Sequence, residues 1–232
     1  MKQKTIGLIG GMSWESTALY YKLINQHVGA KLGNLHSASI LMYSYDFEPI
    51  KVWQYAERWD LAGNDLAHTA LRLQAGGADC IVIGTNTMHI AADRVADAIN
   101  VPLLHIADCT ADRIVDAGIR SIGLLGTKFT MEKSFYADRL RKRGLDVIVP
   151  DSFGRELVNR VIYDELCLGK VETESRQALV DEIGALGLRG AEAVILGCTE
   201  LGMLIDDRNS PLPTFDTTAI HAEAAAEFCL AA

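Results

Sequence analysis

The chain has 232 residues, 49% of them hydrophobic and 22% charged, with a formal net charge of −8. That length buries one large core or two small ones, the composition is that of an ordinary folded protein and not of a disordered one, and the negative charge argues against nucleic acid or an anionic membrane surface as the main partner. No apolar run approaches the roughly 18 residues needed to span a bilayer, and five widely spaced cysteines without a CxxC pair argue against a disulfide framework or structural zinc, so a reduced, cytoplasmic protein is expected.

Residues 5–10 (Thr-Ile-Gly-Leu-Ile-Gly) read as a first strand; after the basic start at residues 1–4, so short and glycine-interrupted a run is not a signal peptide. Gly10-Gly11-Met12-Ser13 turns into a helix reaching about residue 28, capped by Ser13 or Ser16. Its glycine pair lets the backbone come close to a ligand, and its N-terminus favours an anion. The segment is not GxGxxG and no acid is placed to hold a ribose, so no dinucleotide is expected. Residues 37–44 form a second strand, and 45–59 an aromatic-rich linker and helix start. From this linker Gln54 and Lys51 would reach a pocket, although Lys51 also reads as a solvated helix residue. An amphipathic helix at 60–75 leads to a third strand ending at Thr85, Asn86-Thr87-Met88-His89 opens a helix to residue 99, and 101–106 is a fourth strand.

The order then begins again. Residues 122–127 repeat the first strand, 145–150 take the place of the second, helices at 131–143 and 173–186 follow, and a strand ending at Cys198 precedes a Pro-Leu-Pro-Thr-Phe-Asp segment at 211–216 that matches the one near Pro102. The match is closest between Gly77-Ala78-Asp79-Cys80-Ile81-Val82-Ile83-Gly84-Thr85-Asn86-Thr87-Met88 and Gly190-Ala191-Glu192-Ala193-Val194-Ile195-Leu196-Gly197-Cys198-Thr199-Glu200-Leu201, which align without a gap. Each copy reads as a buried parallel strand that ends, after a glycine, on a small side chain bearing an OH or SH.

The expected fold is α/β: two pseudosymmetric domains, each a central parallel sheet flanked by helices, with the active site in the cleft between them. The predicted boundaries are 1–106, with the C-terminal helix at 216–232 packing on it, and 107–215, joined by a linker within 107–121. Ligands of such sheets bind at the carboxyl ends of the strands. A cysteine there, beside backbone donors and a helix N-terminus, can have a lowered pKa and serve as base or nucleophile, although an isolated cysteine after an apolar run also reads as a small core residue. Two protic side chains at matched positions would face opposite sides of one bound carbon, which suits deprotonation on one face and reprotonation on the other.

Gly-Cys-Thr-Glu-Leu at 197–201, Thr-Asn-Thr-Met-His at 85–89, Gly-Gly-Met-Ser-Trp-Glu-Ser-Thr at 10–17, Gly-Thr-Lys-Phe-Thr-Met at 126–131 and Asp-Thr-Thr-Ala-Ile-His at 216–221 together resemble the aspartate/glutamate racemase family, in its aspartate-racemase branch. The resemblance implies racemisation of an acidic amino acid by two cysteines, without a cofactor or metal, in a frequent homodimer. Cys198 matches the second catalytic cysteine, whereas Thr85 stands where the first is usual. A threonine hydroxyl is a poor base near neutral pH but can deliver a proton. Turnover is therefore expected to be kinetically unequal in the two directions at an unchanged equilibrium. The matched segments imply Met12, Ser13, Gln54, Asn86, Thr87, Thr127, Lys170, Thr199 and Glu200 as substrate-binding residues, with Lys170 pairing the distal carboxylate. Lys170 also reads as a surface lysine, and Glu200 as an acid favoured at a helix start. His89, His105 and His221 are read as hydrogen-bonded structural groups, with a direct proton role as the lesser alternative and no metal-ligand spacing, Trp53, Tyr55 and Trp59 as packing or interface, and the other cysteines as structural. Related decarboxylases, hydantoin racemases, maleate-type isomerases and a non-catalytic amino-acid-binding protein remain as alternatives.

Overall fold

The computed structural model describes residues 3–231. The basic start at Met1 and Lys2 and the final residue of the predicted C-terminal helix, Ala232, lie outside them. The chain divides into two compact units, Met1–Ile106 with His221–Ala232, and Ala107–Ile220.

The first unit is built on β1 (Ile6–Gly10), β2 (Ile40–Ser44), β3 (Cys80–Ile83) and β4 (Leu103–Leu104), all parallel, in the order β2-β1-β3-β4. Alternation along the buried strands serves two faces. Ile6 and Leu8 with Cys80 and Val82 meet α1 (Trp14–Leu32) and α10 (Thr217–Leu230) through Tyr20, Ile24, Val28, Ala222, Ala225 and Ala226. Ile9, Ile81 and Ile83 turn the other way, onto Ile50 of α2 (Phe47–Tyr55), onto α3 (Trp59–Ala75) through Leu66, Ala70 and Leu73, and onto Val95 of α4 (Ala92–Ala98). With both sheet faces covered, truncating Ile81 to Ala would cost about 2–5 kcal/mol.

The second unit repeats this pattern with β5 (Ser121–Gly126), β6 (Asp146–Ile148), β7 (Ala193–Gly197) and β8 (Thr214–Asp216), parallel, in the order β6-β5-β7-β8. Its helices are α5 (Ile106–Asp116), α6 (Lys128–Glu132), α7 (Ser134–Lys142), α8 (Ser152–Arg160) and α9 (Thr173–Leu188). The internal repeat holds to single residues: Ile9 pairs with Ile83 and Leu125 with Leu196, the corresponding positions of the two copies. The acid of each Gly-Ala-acid start does the same work, since Thr5 N donates to Asp79 Oδ2 at 2.7 Å and Arg120 N to Glu192 Oε2 at 2.9 Å.

Several predicted elements change. Part of the stretch expected as a linker is α5, whose Ile106, Ala107, Ala111 and Ile114 are all buried. The fourth strand contracts to Leu103–Leu104. The helix expected over 131–143 breaks where Lys133 takes an extended conformation (ψ 144°), and α8, followed by a π-turn at Val161–Glu165, had no counterpart in the sequence reading.

Candidate active site

In the first unit the carboxyl ends of β1 and β3 lie side by side, so the sheet itself brings the segment from Gly10 to Ser13 next to Thr85 and Asn86. Gly11 holds a left-handed turn (φ +84°) in which a Cβ would stand 2.1 Å from Tyr45 N, which is why the residue is glycine. Its amide donates to Thr17 Oγ1 at 2.7 Å. Ser13 caps α1 by accepting from Ser16 N, as the sequence suggested. Met12 is buried in the same cluster as Met88, and Gln54, 2% exposed, donates from Nε2 to Met88 Sδ at 3.2 Å. The Oε1 of Gln54 is buried with no hydrogen-bond partner among the described residues. That is an acceptor available to an ammonium. Thr85 is partly buried, Asn86 and Thr87 fully so. The unit therefore gathers Met12, Ser13, Gln54, Thr85, Asn86 and Thr87 around one sheet end and its flanking turn.

In the second unit Gly126 of β5 pairs with Gly197 of β7, which sets Thr127 beside Cys198. Thr127 caps α6, accepting from Thr130 N at 3.4 Å. Cys198 is partly buried, and its Sγ–H donates to Glu200 Oε2 at 3.0 Å; the same oxygen accepts from Thr199 Oγ1 at 2.6 Å. Glu200 is only 6% exposed.

This environment overturns the expectation of a lowered thiol pKa. Burial pushes the Cys198 thiol well above its ordinary value of 9, and the neighbouring negative charge of Glu200 pushes it further. The reason is local: the residue two positions on is a carboxylate, not a cation, so desolvation and like charge act together against the thiolate. Glu200 is thus no simple helix-start acid. It is a buried acceptor for two protic neighbours.

Cys167 also acts on the Cys198 thiol and packs against the same apolar cluster, a neighbour the sequence reading missed. No motif marks it; it arrives through the 3-10 turn Leu166–Leu168, which α8 and the π-turn bring to that cluster. Lys170 follows that turn after Gly169 (φ +73°) and is exposed, with its amide donating to Glu165 O at 3.0 Å. Among the described residues its ammonium makes no hydrogen bond or ion pair with the Cys198 end. Cys80 lies inside β3 and Cys109 on α5, their thiols raised by burial to about 12 and about 11. Cys80 is the first residue of β3, at its amino end, and neither thiol stands at the carboxyl end of a strand.

The three histidines of the motifs come together in the first unit. His89 stacks edge-on against His105 at 4.5 Å and against His221 at 5.8 Å between ring centroids, and all three are buried. Among the described residues, the grouping with metal-ligand proximity is His27, Glu223 and Glu227 on α1 and α10, which contains none of the strand-end residues.

The profile of the Asp/Glu/hydantoin racemase family matches residues 9–225. The chain belongs to that family. It is 26% identical to the broad specificity amino-acid racemase RacX of Bacillus subtilis over 97% of this chain and 98% of the relative. Among solved structures it is similar to a candidate Asp/Glu racemase from Yersinia pestis (52% identity, TM-score 0.93, covering 98% of this chain and 100% of that one). An aspartate racemase homologue from Pyrococcus horikoshii OT3 is 33% identical with a TM-score of 0.85, and the match covers both chains in full. These relatives are named as racemases, which are isomerases, and the paired sheets with matched strand ends are the architecture on which this chain carries its family motifs. Among the described residues no helix is long and apolar enough to cross a membrane.

Proposed function

We propose that the protein racemises an acidic amino acid, aspartate or glutamate, without a cofactor, with Cys198 and Thr85 working on opposite faces of Cα. The observation that carries this reading is the matched register of the two strand ends: a family racemase chain presents one protic side chain after the same glycine in each repeat. The reading requires the two ends to share one substrate.

The chemistry begins from a protonated thiol, since burial and Glu200 disfavour the thiolate. Cys198 passes its proton to Glu200 Oε2, along the hydrogen bond already formed. The thiolate then takes the Cα proton from one face, leaving a carbanion stabilised through the substrate carboxylate by backbone donors and by Asn86, Thr87, Thr127 and Thr199. Thr85 Oγ1–H delivers a proton to the opposite face, the alkoxide left behind takes a proton from water, and the proton held on Glu200 neutralises the hydroxide so formed, which restores the Glu200 carboxylate and leaves Cys198 as the thiol. Run backwards, the threonine would have to act as the base, which its weak acidity makes slow. Met12, Ser13 and Gln54 complete the substrate pocket in this reading, with the buried Gln54 Oε1 accepting from the ammonium and Lys170 closing on the distal carboxylate. The five free cysteines accord with a reducing cytoplasm, and a homodimer is the assembly proposed.

The test is proton NMR of each enantiomer of aspartate and glutamate in heavy water, read together with optical rotation. Loss of the Cα proton with formation of the opposite enantiomer is expected for at least one of the four. Exchange from none of them would overturn the reading. A protonated resting thiol also fits a one-sided protonation after decarboxylation, which the same spectra would show as deuterium gained at a carbon that has lost a carboxylate.

A further inference from the structure

Two of the buried histidines, His89 and His221, have tautomers set by their hydrogen bonds. An amide N–H only donates, so Ile106 N, 3.2 Å from His89 Nε2, requires an unprotonated Nε2. A carbonyl only accepts, so the 2.7 Å contact between His89 Nδ1 and Thr85 O carries the proton on Nδ1. The same reasoning gives His221 the opposite tautomer. Its Nε2–H donates to Leu104 O at 2.8 Å, and its Nδ1 accepts from the Tyr20 hydroxyl at 2.9 Å. Both rings are neutral, and both grip the segment from Leu104 to Ile106.

We infer that His89 is a positioning residue for Thr85, setting through the Thr85 carbonyl the direction in which the hydroxyl is presented. The inference rests on the racemase reading proposed above. The Thr85 amide is held by Ile83 O at 2.9 Å and its carbonyl by His89, so both peptide planes flanking its Cα are fixed. Threonine is β-branched and stiff at χ1, so fixing the backbone largely fixes where Oγ1 points. The imidazole is itself held by the Ile106 amide and by the edges of His105 and His221. The other repeat supplies the contrast. The position that aligns with His89 is Gly202, where a Cβ would come within 2.7 Å of Asp216 Oδ2; a glycine offers no side chain to the Cys198 carbonyl, which accepts instead from the Leu201 amide at 3.1 Å. The imidazole brace stands at the end whose acid is a hydroxyl, a group that must be aimed to deliver its proton.

Two substitutions separate the ring's two bonds. His89→Asn keeps a donor where Nδ1 stands and loses the acceptor for Ile106, whereas His89→Gln keeps the acceptor and loses the donor to Thr85. With the enantiomer that Cys198 deprotonates, Cα exchange and inversion are followed together in heavy water. For His89→Gln the expected result is inversion slowed about 30-fold in kcat, with KM and exchange without inversion nearly unchanged, an effect in the range that misplacing a reacting group produces. His89→Asn is expected within about threefold of wild type in both. Equal loss of exchange and inversion in the two variants, or no loss in either, would overturn the assignment. Long-range proton–nitrogen correlation of the wild type needs no variant to fold: a protonated Nδ1 with a bare Nε2 on His89 is expected, and the reverse tautomer or an imidazolium overturns it. Absence of exchange in the wild type would instead bring down the racemase reading, and with it the role given to His89.

Discussion

The Thr85 and Cys198 strand ends occupy the same place in the two repeats and have opposite surroundings. Thr85 is backed by aromatic rings: its carbonyl accepts from the neutral His89, and behind His89 lie His105, His221 and the Tyr20 hydroxyl. Cys198 donates to a buried carboxylate that also takes the Thr199 hydroxyl. A hydroxyl cannot be ionised usefully near neutral pH, so the fold can only aim it. A thiol can be ionised, and at its end the fold supplies an acceptor and a pKa set by burial and charge. Duplication of one βα pattern has thus produced two strand ends tuned by different means.

The comparison breaks most visibly at the thiol. Cys198→Ser should lower both Cα exchange and inversion about 10³-fold, since removing a positioned acid or base costs between 10² and 10⁴; mass-balanced NMR in heavy water would register it. Acid should expose the neutral cluster of the first unit. Burial lowers His221 from 6.5 to about 4, so between these values the unfolded chain takes a proton that the folded one refuses. Stability from this group is whole above about pH 6.5 and falls by about 3 kcal/mol as pH drops towards 4. Urea titrations across that window would show the decline, flattened in His221→Gln. Thr85→Cys should sharpen the contrast by adding an ionisable group to the aimed end, raising kcat of the slow direction about tenfold relative to the fast one, read from initial rates at saturating concentrations of each enantiomer, since kcat/KM stays equal in the two directions at an equilibrium constant of one. The mildest effect is expected from Glu200→Gln. Removing the charge that opposes ionisation should lower the thiol pKa, and alkylation of Cys198 at a fixed pH below that pKa, followed on its peptide by mass spectrometry, should quicken several-fold.

Much of this was legible in the chain. The gapless repeat, the β-branched runs and the terminal glycines are short-range features, and they specify β1, β3, β5 and β7 with their shared register. The capping serine at Ser13 and the glycine turn at Gly11 were readable for the same reason. What the sequence concealed depends on distant packing. Part of the expected linker at 107–121 is a helix because Ile106, Ala107, Ala111 and Ile114 find a core to bury in. The direction of the Cys198 pKa turned first on burial of the thiol and then on Glu200 folding back onto Sγ, when the motif alone equally allowed Glu200 to face solvent. Cys167 reached the thiol through a π-turn with no sequence signature. The tautomers of His89 and His221 depend on Leu104 and Ile106, far from His221 in sequence and visible only as backbone.

The central claim is that the two strand ends serve opposite faces of one carbon, and Thr85→Ala tests it most directly. In heavy water, with the enantiomer that Cys198 deprotonates, the variant should still exchange the Cα proton at close to the wild-type rate and return the same enantiomer. Inversion should fall by about 10². Inversion and exchange surviving together at wild-type rates, or vanishing together, would contradict the division of labour between Thr85 and Cys198.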